Sequence, residues 1–436
     1  MADKRIIILG AGLSGLSAAW HLQKKGIDCS VFEAQGQPGG LCRSKEVDGF
    51  VFDYCGHLLH FKHEYTFRLV KSLLGDNLHL HKRDSRIYFN SRFTPYPFQA
   101  NLYGLPPAIV KECLAGFIEK GEADKRGGKN SMNFRDWIYF NFGKGIAKYF
   151  MVPYNTKFWG LPPQRITCEW LNDFIPVPSL DQVIEGAIGQ SREEFGYNRQ
   201  FWYPKKGGIS SLARALAGQL SNLHLNSKVV AIDPGKREVG LASGRRVGYD
   251  RLISSIPLPE MPGLIRKMPA AARRPFAGLR WNSIFNLNLG IEGMDWGRKH
   301  WAYFPQPDIS FFRVGFFHNF SPALAPAGKG SLYVELAHHP DSPPDTKRAI
   351  TRLIKDLKNT GLLNSRANVV CRDVNRIKYA YPVYDRYYAA ARKGAVDFLS
   401  SNRVIPVGRY GAWRYLSMEG ALLEGKRVAD LVTNHG

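Results

Sequence analysis

Gly10-Ala11-Gly12-Leu13-Ser14-Gly15, followed later by Glu33, is a set of residues whose types and spacing suit a dinucleotide. Gly10 permits a tight turn, Gly12 lets the backbone approach a pyrophosphate, and Gly15 lets a helix pack closely on a strand. Leu13 and Ser14 open that helix, whose unpaired N–H groups and partial positive charge favour phosphates. Glu33 lies about 20 residues on, where a carboxylate accepts from ribose hydroxyls. Three elements must hold these groups. Lys4 to Leu9 reads as a short buried parallel strand, the Ala- and Leu-rich run to about Lys25 as a helix, and Cys29 to Phe32 as a second strand ending at Glu33. That order lifts the glycine pattern above a chance match.

A second diglycine follows in Gly39-Gly40-Leu41-Cys42-Arg43-Ser44. It resembles the segment of FAD enzymes of the glutathione-reductase and amine-oxidase type. The resemblance implies that Gly40, Leu41 and Arg43 wrap the other side of the pyrophosphate. Lys228-Val229-Val230-Ala231-Ile232 resembles the strand whose backbone meets the adenine, with Val230 as the contact. Arg403-Val404-Ile405-Pro406-Val407-Gly408-Arg409 resembles the late strand that ends beneath the flavin.

At 436 residues the chain is too long for one ordinary core, so two or three subdomains are expected. With 44% apolar and 13% aromatic residues it reads as globular rather than disordered. No apolar run approaches the roughly 18 residues that span a bilayer, and no signal-peptide pattern is present. Six scattered cysteines without metal-type spacing suit reduced thiols, so a cytoplasmic location and no metal site are expected. The net charge of +23 is dispersed and no nucleic-acid module is visible, which argues against nucleic acid. The charge is compatible with an anionic substrate and with peripheral attraction to an anionic membrane surface.

The expected fold class is α/β. A Rossmann-like FAD-binding domain (1–60, 200–262 and 395–436) carries an inserted helical domain (100–198) and an antiparallel-sheet domain (61–99 and 263–394). Ala108 to Lys120, after two prolines, reads as an amphipathic helix, as do Trp137 to Phe150, 346–359 and Met418 to Asn434. Residues 270–320 alternate apolar and polar, as antiparallel strands do.

Several further segments resemble one family, the flavin-dependent UDP-galactopyranose mutases, above all their eukaryotic-type branch. Phe52-Asp53-Tyr54-Cys55-Gly56-His57 matches the loop that ends in Gly-His beside flavin N5, which implicates Gly56 and His57; Cys55 replaces the usual first glycine. Tyr96-Pro97-Phe98-Gln99 matches the segment contacting the base, and Tyr154-Asn155-Thr156-Lys157-Phe158-Trp159 the helix whose Asn155 and Trp159 line the uridine pocket. Asn198 matches a pocket asparagine just before Phe201-Trp202-Tyr203-Pro204-Lys205-Lys206-Gly207-Gly208, which returns the chain to the FAD domain. Trp301-Ala302-Tyr303-Phe304-Pro305 and Phe311-Phe312-Arg313 match neighbouring strands, with Tyr303 facing substrate and Arg313 on the diphosphate. Tyr381 matches a diphosphate-binding tyrosine. Gly408-Arg409-Tyr410-Gly411-Ala412-Trp413-Arg414-Tyr415 places Arg409 on flavin or substrate and Tyr415 on a phosphate. Ser417 and Met418 fall at the flavin's ribityl and pyrimidine edge.

On that resemblance the chain is a nucleotide-sugar mutase that interconverts pyranose and furanose forms of a UDP-galactose-like substrate through an adduct between reduced flavin N5 and the sugar. His57, Arg313, Tyr381, Tyr415 and Arg409 carry the chemistry, with FAD active when reduced and NADPH or NADH as reductant. Among these residues there is no protein acid–base pair and no Ser-His-Asp order, which fits cofactor-centred chemistry. Three departures from the family stand out: Phe174 where an arginine holds the diphosphate, Phe320 where a tyrosine stands, and Ser417-Met418-Glu419 where an asparagine and an aspartate are usual. The alternative is an FAD oxidase or dehydrogenase of the amine-oxidase or protoporphyrinogen-oxidase type; a non-catalytic relative is a third reading. Sugar, base, reductant and oligomeric state stay open.

Overall fold

Five short strands form a parallel sheet in the order Val404–Pro406, Arg251–Ser254, Ile6–Leu9, Cys29–Phe32, Leu223–His224. The computed structural model describes residues 5–120, 132–171, 174–190, 199–293, 295 and 297–434. Ile6–Leu9 is central and buried along its whole length, as an all-apolar run covered on both faces must be. The helix Leu13–Lys24 follows and packs lengthwise on Met418–Asn434. The first and last helices of the chain thus pack on each other, and the first lies against Ile6–Leu9 and Cys29–Phe32.

A second, seven-stranded sheet runs Asn368–Pro382, Trp281–Glu292, Lys329–His338, Arg313–Phe316, Trp301–Tyr303, Ser85–Phe89, Arg92–Pro95. All its pairings are antiparallel except Trp301–Tyr303 with Ser85–Phe89. The amphipathic helix Thr346–Asn359 buries Ala349, Leu353 and Leu357 with Phe285, Leu287 and Leu289 of this sheet. The helical layer comprises Pro107–Glu119, Phe134–Ile146, a wider π-type turn Ala147–Met151, Val152–Trp159 and Leu180–Ile188. Between them, Leu78–Lys82 pairs with Gln200–Pro204 and ties the two sheets' surroundings together.

The fold is therefore mixed α/β, with a parallel cofactor-type sheet and an antiparallel sheet. Two local expectations fail. The helix expected over Trp137 to Phe150 is kinked at Gly143, whose φ of +71° is non-helical, and ends at Ile146. Residues 270–277 form a helix rather than a strand, because the Ala270-Ala271-Ala272 run favours helix over the extended state. Phe317–Phe320 likewise closes in a single helical turn after Arg313–Phe316. Among the described residues no helix is long and apolar enough to cross a membrane, and all six cysteines are free.

Candidate functional site

The end of Ile6–Leu9 feeds Gly10, and Gly12 stands at the N-terminus of Leu13–Lys24 with no side chain capping it and no acid in the first turn. The helix therefore keeps unpaired N–H groups for an anion. Gly15 cannot be replaced easily: a Cβ there would lie 2.1 Å from the Gly10 carbonyl oxygen. Gly15 is thus a packing residue and does not itself line the cavity. Glu33 accepts from the Ala11 N–H at 2.7 Å and the Gln35 N–H at 2.9 Å, which fixes its carboxylate at the cavity edge. The second diglycine folds back on the first. The Gly39 N–H donates to Ala11 at 2.7 Å, and Gly40 comes against Gly12. Arg43 lies 4.8 Å from the Tyr54 ring, with its Nε buried and unpartnered among the described residues.

These segments open on a cavity of about 1020 Å³, at the upper end of the range for ligand pockets. Gly10, Gly12, Leu13, Ser14, Glu33, Gly40, Leu41, Arg43, Gly56, His57, Gly408, Arg409, Ser417 and Met418 all line it. Lys228 and Val229 line the cavity, whereas the Val230 side chain points to solvent, since successive residues of a strand face opposite ways. His57 donates from Nδ1 to the Cys55 carbonyl at 3.3 Å, and burial pulls its pKa down to about 4, so the ring is neutral at ordinary pH.

The other end of the cavity is built from side chains. Arg313 is bound side-on by Glu335: its Nε and Nη2 both donate to the carboxylate, the latter at 2.9 Å. Glu335 is fully buried. Burial lowers the Arg313 pKa and the Glu335 charge raises it, with the net direction upward, so the guanidinium stays charged. Arg409 lies 4.7 Å from both the Tyr381 and Tyr415 rings, which are themselves nearly parallel at 5.8 Å. A cation against two ring faces is held by their quadrupoles. Tyr303, Tyr96, Gln99 and Asn155 complete this wall. Gln99 donates to the Pro176 carbonyl at 2.9 Å and its Oε1 has no partner among the described residues. Asn155 donates to the Met151 carbonyl at 2.7 Å, which leaves its own oxygen to face other groups.

Two expected substrate contacts do not reach the cavity. Phe98 is fully buried and stacks on Phe150 at 5.2 Å, inside the helical layer. Trp159 is also fully buried, wedged against Phe158 and Trp170. Phe158, one residue earlier on the same helix, lines the cavity instead. Asn198 lies outside the described residues. Motif reading missed Glu335, although a lone acid in the apolar strand Lys329–His338, opposite Arg313 in register, was a usable signal. It also missed Arg83 and Tyr154, which line the same wall. Arg83 sits 4.9 Å from the Tyr96 ring.

The three departures behave differently. Phe174 lines the cavity, edge-on to Tyr415 at 4.9 Å. Ser417 accepts from the Gly420 N–H at 3.0 Å and so caps Met418–Asn434. The Glu419 carboxylate turns away and takes the Lys62 and His63 N–H groups and the Thr66 hydroxyl. Phe320 is buried among Phe201, Tyr203 and Phe317 and does not line the cavity.

The family model described as flavin containing amine oxidoreductase matches residues 13–433. A crystal structure of reduced UDP-galactopyranose mutase superposes with a TM-score of 0.93 at 27% identity, covering 100% of this chain and 95% of that one. A zeta-carotene-forming phytoene desaturase of Myxococcus xanthus is 27% identical over 78% of this chain and 73% of its own. The mitochondrial protoporphyrinogen oxidase of Nicotiana tabacum is 48% identical, but over only 52% of this chain; the match spans about half of that relative's length. The dinucleotide is therefore FAD. The uncapped helix N-terminus at Gly12, the clasped diglycines and the unpartnered Arg43 Nε fit its pyrophosphate.

Proposed function

Because the chain belongs to the flavin-containing amine oxidoreductase family, we propose that it uses FAD as a nucleotide-sugar mutase, interconverting pyranose and furanose forms of a UDP-galactose-like substrate. The observation that carries this reading is Arg313, held side-on by the buried Glu335 at the wall of the flavin cavity. That grip uses Nε and one Nη2 hydrogen, so Nη1 and the second Nη2 hydrogen remain as a fork for a phosphate. An apolar polyene substrate would gain nothing from such a group.

Reduced FAD, when bound, supplies the nucleophile for the anomeric carbon. The residues around it have to keep the expelled diphosphate close until the sugar ring has reclosed. Arg313, Tyr381, Tyr415 and Arg409 are the donors for that task. Holding the diphosphate there raises its effective concentration and stabilises its charge. Tyr303 faces the sugar, and Tyr96, Gln99 and Asn155 face the base. Neutral His57 keeps a second positive charge away from the flavin's edge. A nicotinamide dinucleotide, NADPH or NADH, is the proposed reductant.

The second reading is an FAD oxidase or dehydrogenase. It is favoured by the phytoene desaturase and protoporphyrinogen oxidase relatives and by Phe174, an apolar ring where a mutase has an arginine. Titrating UDP and UDP-galactose while following the flavin absorption separates the two. Saturable perturbation by both ligands is expected. Absence of any response to nucleoside diphosphates would sink the mutase reading.

A further inference from the structure

We propose that Asp53 is a positioning residue for the flavin, its buried carboxylate locking the two loops that flank the FAD cavity to the returning segment at Tyr203–Ser210. The strands Ser44–Val47 and Phe50–Asp53 form a hairpin in which Ser44 faces Asp53. Two cavity-lining loops therefore leave the hairpin from the same end: Gly39 to Arg43 before it and Tyr54 to His57 after it. Asp53 itself does not line the cavity and is fully buried.

Its two oxygens join three parts of the chain. Oδ1 accepts from the Ser44 hydroxyl at 2.6 Å and from the Ile209 N–H at 3.2 Å. Oδ2 accepts from the Tyr203 hydroxyl at 2.6 Å. The Ser210 N–H in turn donates to the Ser44 hydroxyl at 3.1 Å. Gly208, at φ +64°, lets the returning chain come this close, since a Cβ there would lie 2.3 Å from Ser44 Oγ and 2.7 Å from Asp53 Oδ1. The carboxylate is met by donors and, among the described residues, by no ion-pairing cation, and burial pushes its pKa up to about 6.

A group whose folded pKa is raised in this way contributes stability at low pH and loses it as pH rises through about 6. Above that pH the carboxylate is ionised and is held by its three donors, Ser44, Ile209 and Tyr203. Both loops it orients meet the cofactor's cavity, and the hydrogen bonds that join the hairpin to Tyr203–Ser210 run through Asp53 and Ser44. The inference concerns FAD and holds under either reading of the substrate.

The test compares Asp53→Asn with Leu212→Ala in the intact protein. Leu212 is a fully buried residue of the helix Ser210–Ala217 and lies outside the carboxylate's hydrogen bonds. For Asp53→Asn we expect FAD affinity to fall at least about tenfold, the size of one lost charge-assisted bond. The visible flavin band and the midpoint potential should shift as well, with little change in unfolding midpoint at saturating FAD. Leu212→Ala should lower the unfolding midpoint and leave spectrum and potential as in the wild type. If Asp53→Asn keeps wild-type FAD affinity and spectrum, or Leu212→Ala moves them as much, the proposal is overturned. Should Asp53→Asn fail to fold, Ser44→Ala and Tyr203→Phe each remove one donor; partial shifts support the proposal and unchanged flavin properties overturn it.

Discussion

The two ends of the cavity are held by different means. At the dinucleotide end the contacts are backbone against backbone: Gly39 on Ala11, Gly40 on Gly12, and Gly15 against the Gly10 carbonyl. Most of them join residues within one stretch of about thirty positions. At the opposite end the wall is made of side chains from Arg83 to Tyr415, and its firmest element is a single buried pair, Arg313 with Glu335. Backbone contacts leave almost no room for substitution, whereas side chains can be exchanged singly while the fold stands. That is why FAD follows from the family, whereas cavity-wall side chains such as Phe174 can differ within one fold.

Five substitutions would break or sharpen this contrast. Gly15→Val should act most strongly, because its Cβ would overlap backbone that cannot rotate away; purification should yield protein with no flavin absorbance. Glu335→Ala leaves Arg313 buried without its partner. Such a change costs about 3–5 kcal/mol, read as a lower urea midpoint, with FAD still bound. Arg313→Lys keeps the charge and loses the fork. UDP affinity should drop about tenfold, the worth of one charge-assisted hydrogen bond, while calorimetry shows FAD affinity unchanged.

The smallest effects come from the departures, and they should part company. Phe174→Arg puts a cation into the cavity wall beside Tyr415 and should tighten UDP several-fold. Phe320→Tyr adds a hydroxyl within an aromatic cluster off the cavity. It should cost about 1 kcal/mol of stability for an unpaired buried hydroxyl and leave UDP binding as it was. Equal effects of the two on UDP affinity would blur the distinction drawn between cavity and core.

The same contrast explains what could be read from the chain alone. Local periodicity and glycine spacing disclosed Cys29–Phe32, Thr346–Asn359 and Met418–Asn434, with bounds matching those observed. The glycines and Glu33 were legible because a turn's chemistry is contained in a few consecutive residues. Motifs at the other end told which segment approaches the cavity but not which of its faces. A helix turns about 100° per residue, so Phe158 lines this cavity while Trp159 is buried against Phe158 and Trp170. Glu335 escaped because its pairing with Arg313 runs across the sheet, between strands that no contiguous motif joins.

The central claim is that the side-chain end of the cavity handles a nucleoside-diphosphate sugar for isomerisation rather than a hydride donor for oxidation. It is tested most directly by incubating the purified protein with UDP-galactopyranose, with and without dithionite, and separating the products by HPLC. The account predicts UDP-galactofuranose only in the reduced sample, with no net consumption of reductant. No conversion of the reduced sample, together with peroxide release or acceptor reduction from an amine, porphyrinogen or polyene in air, would contradict it.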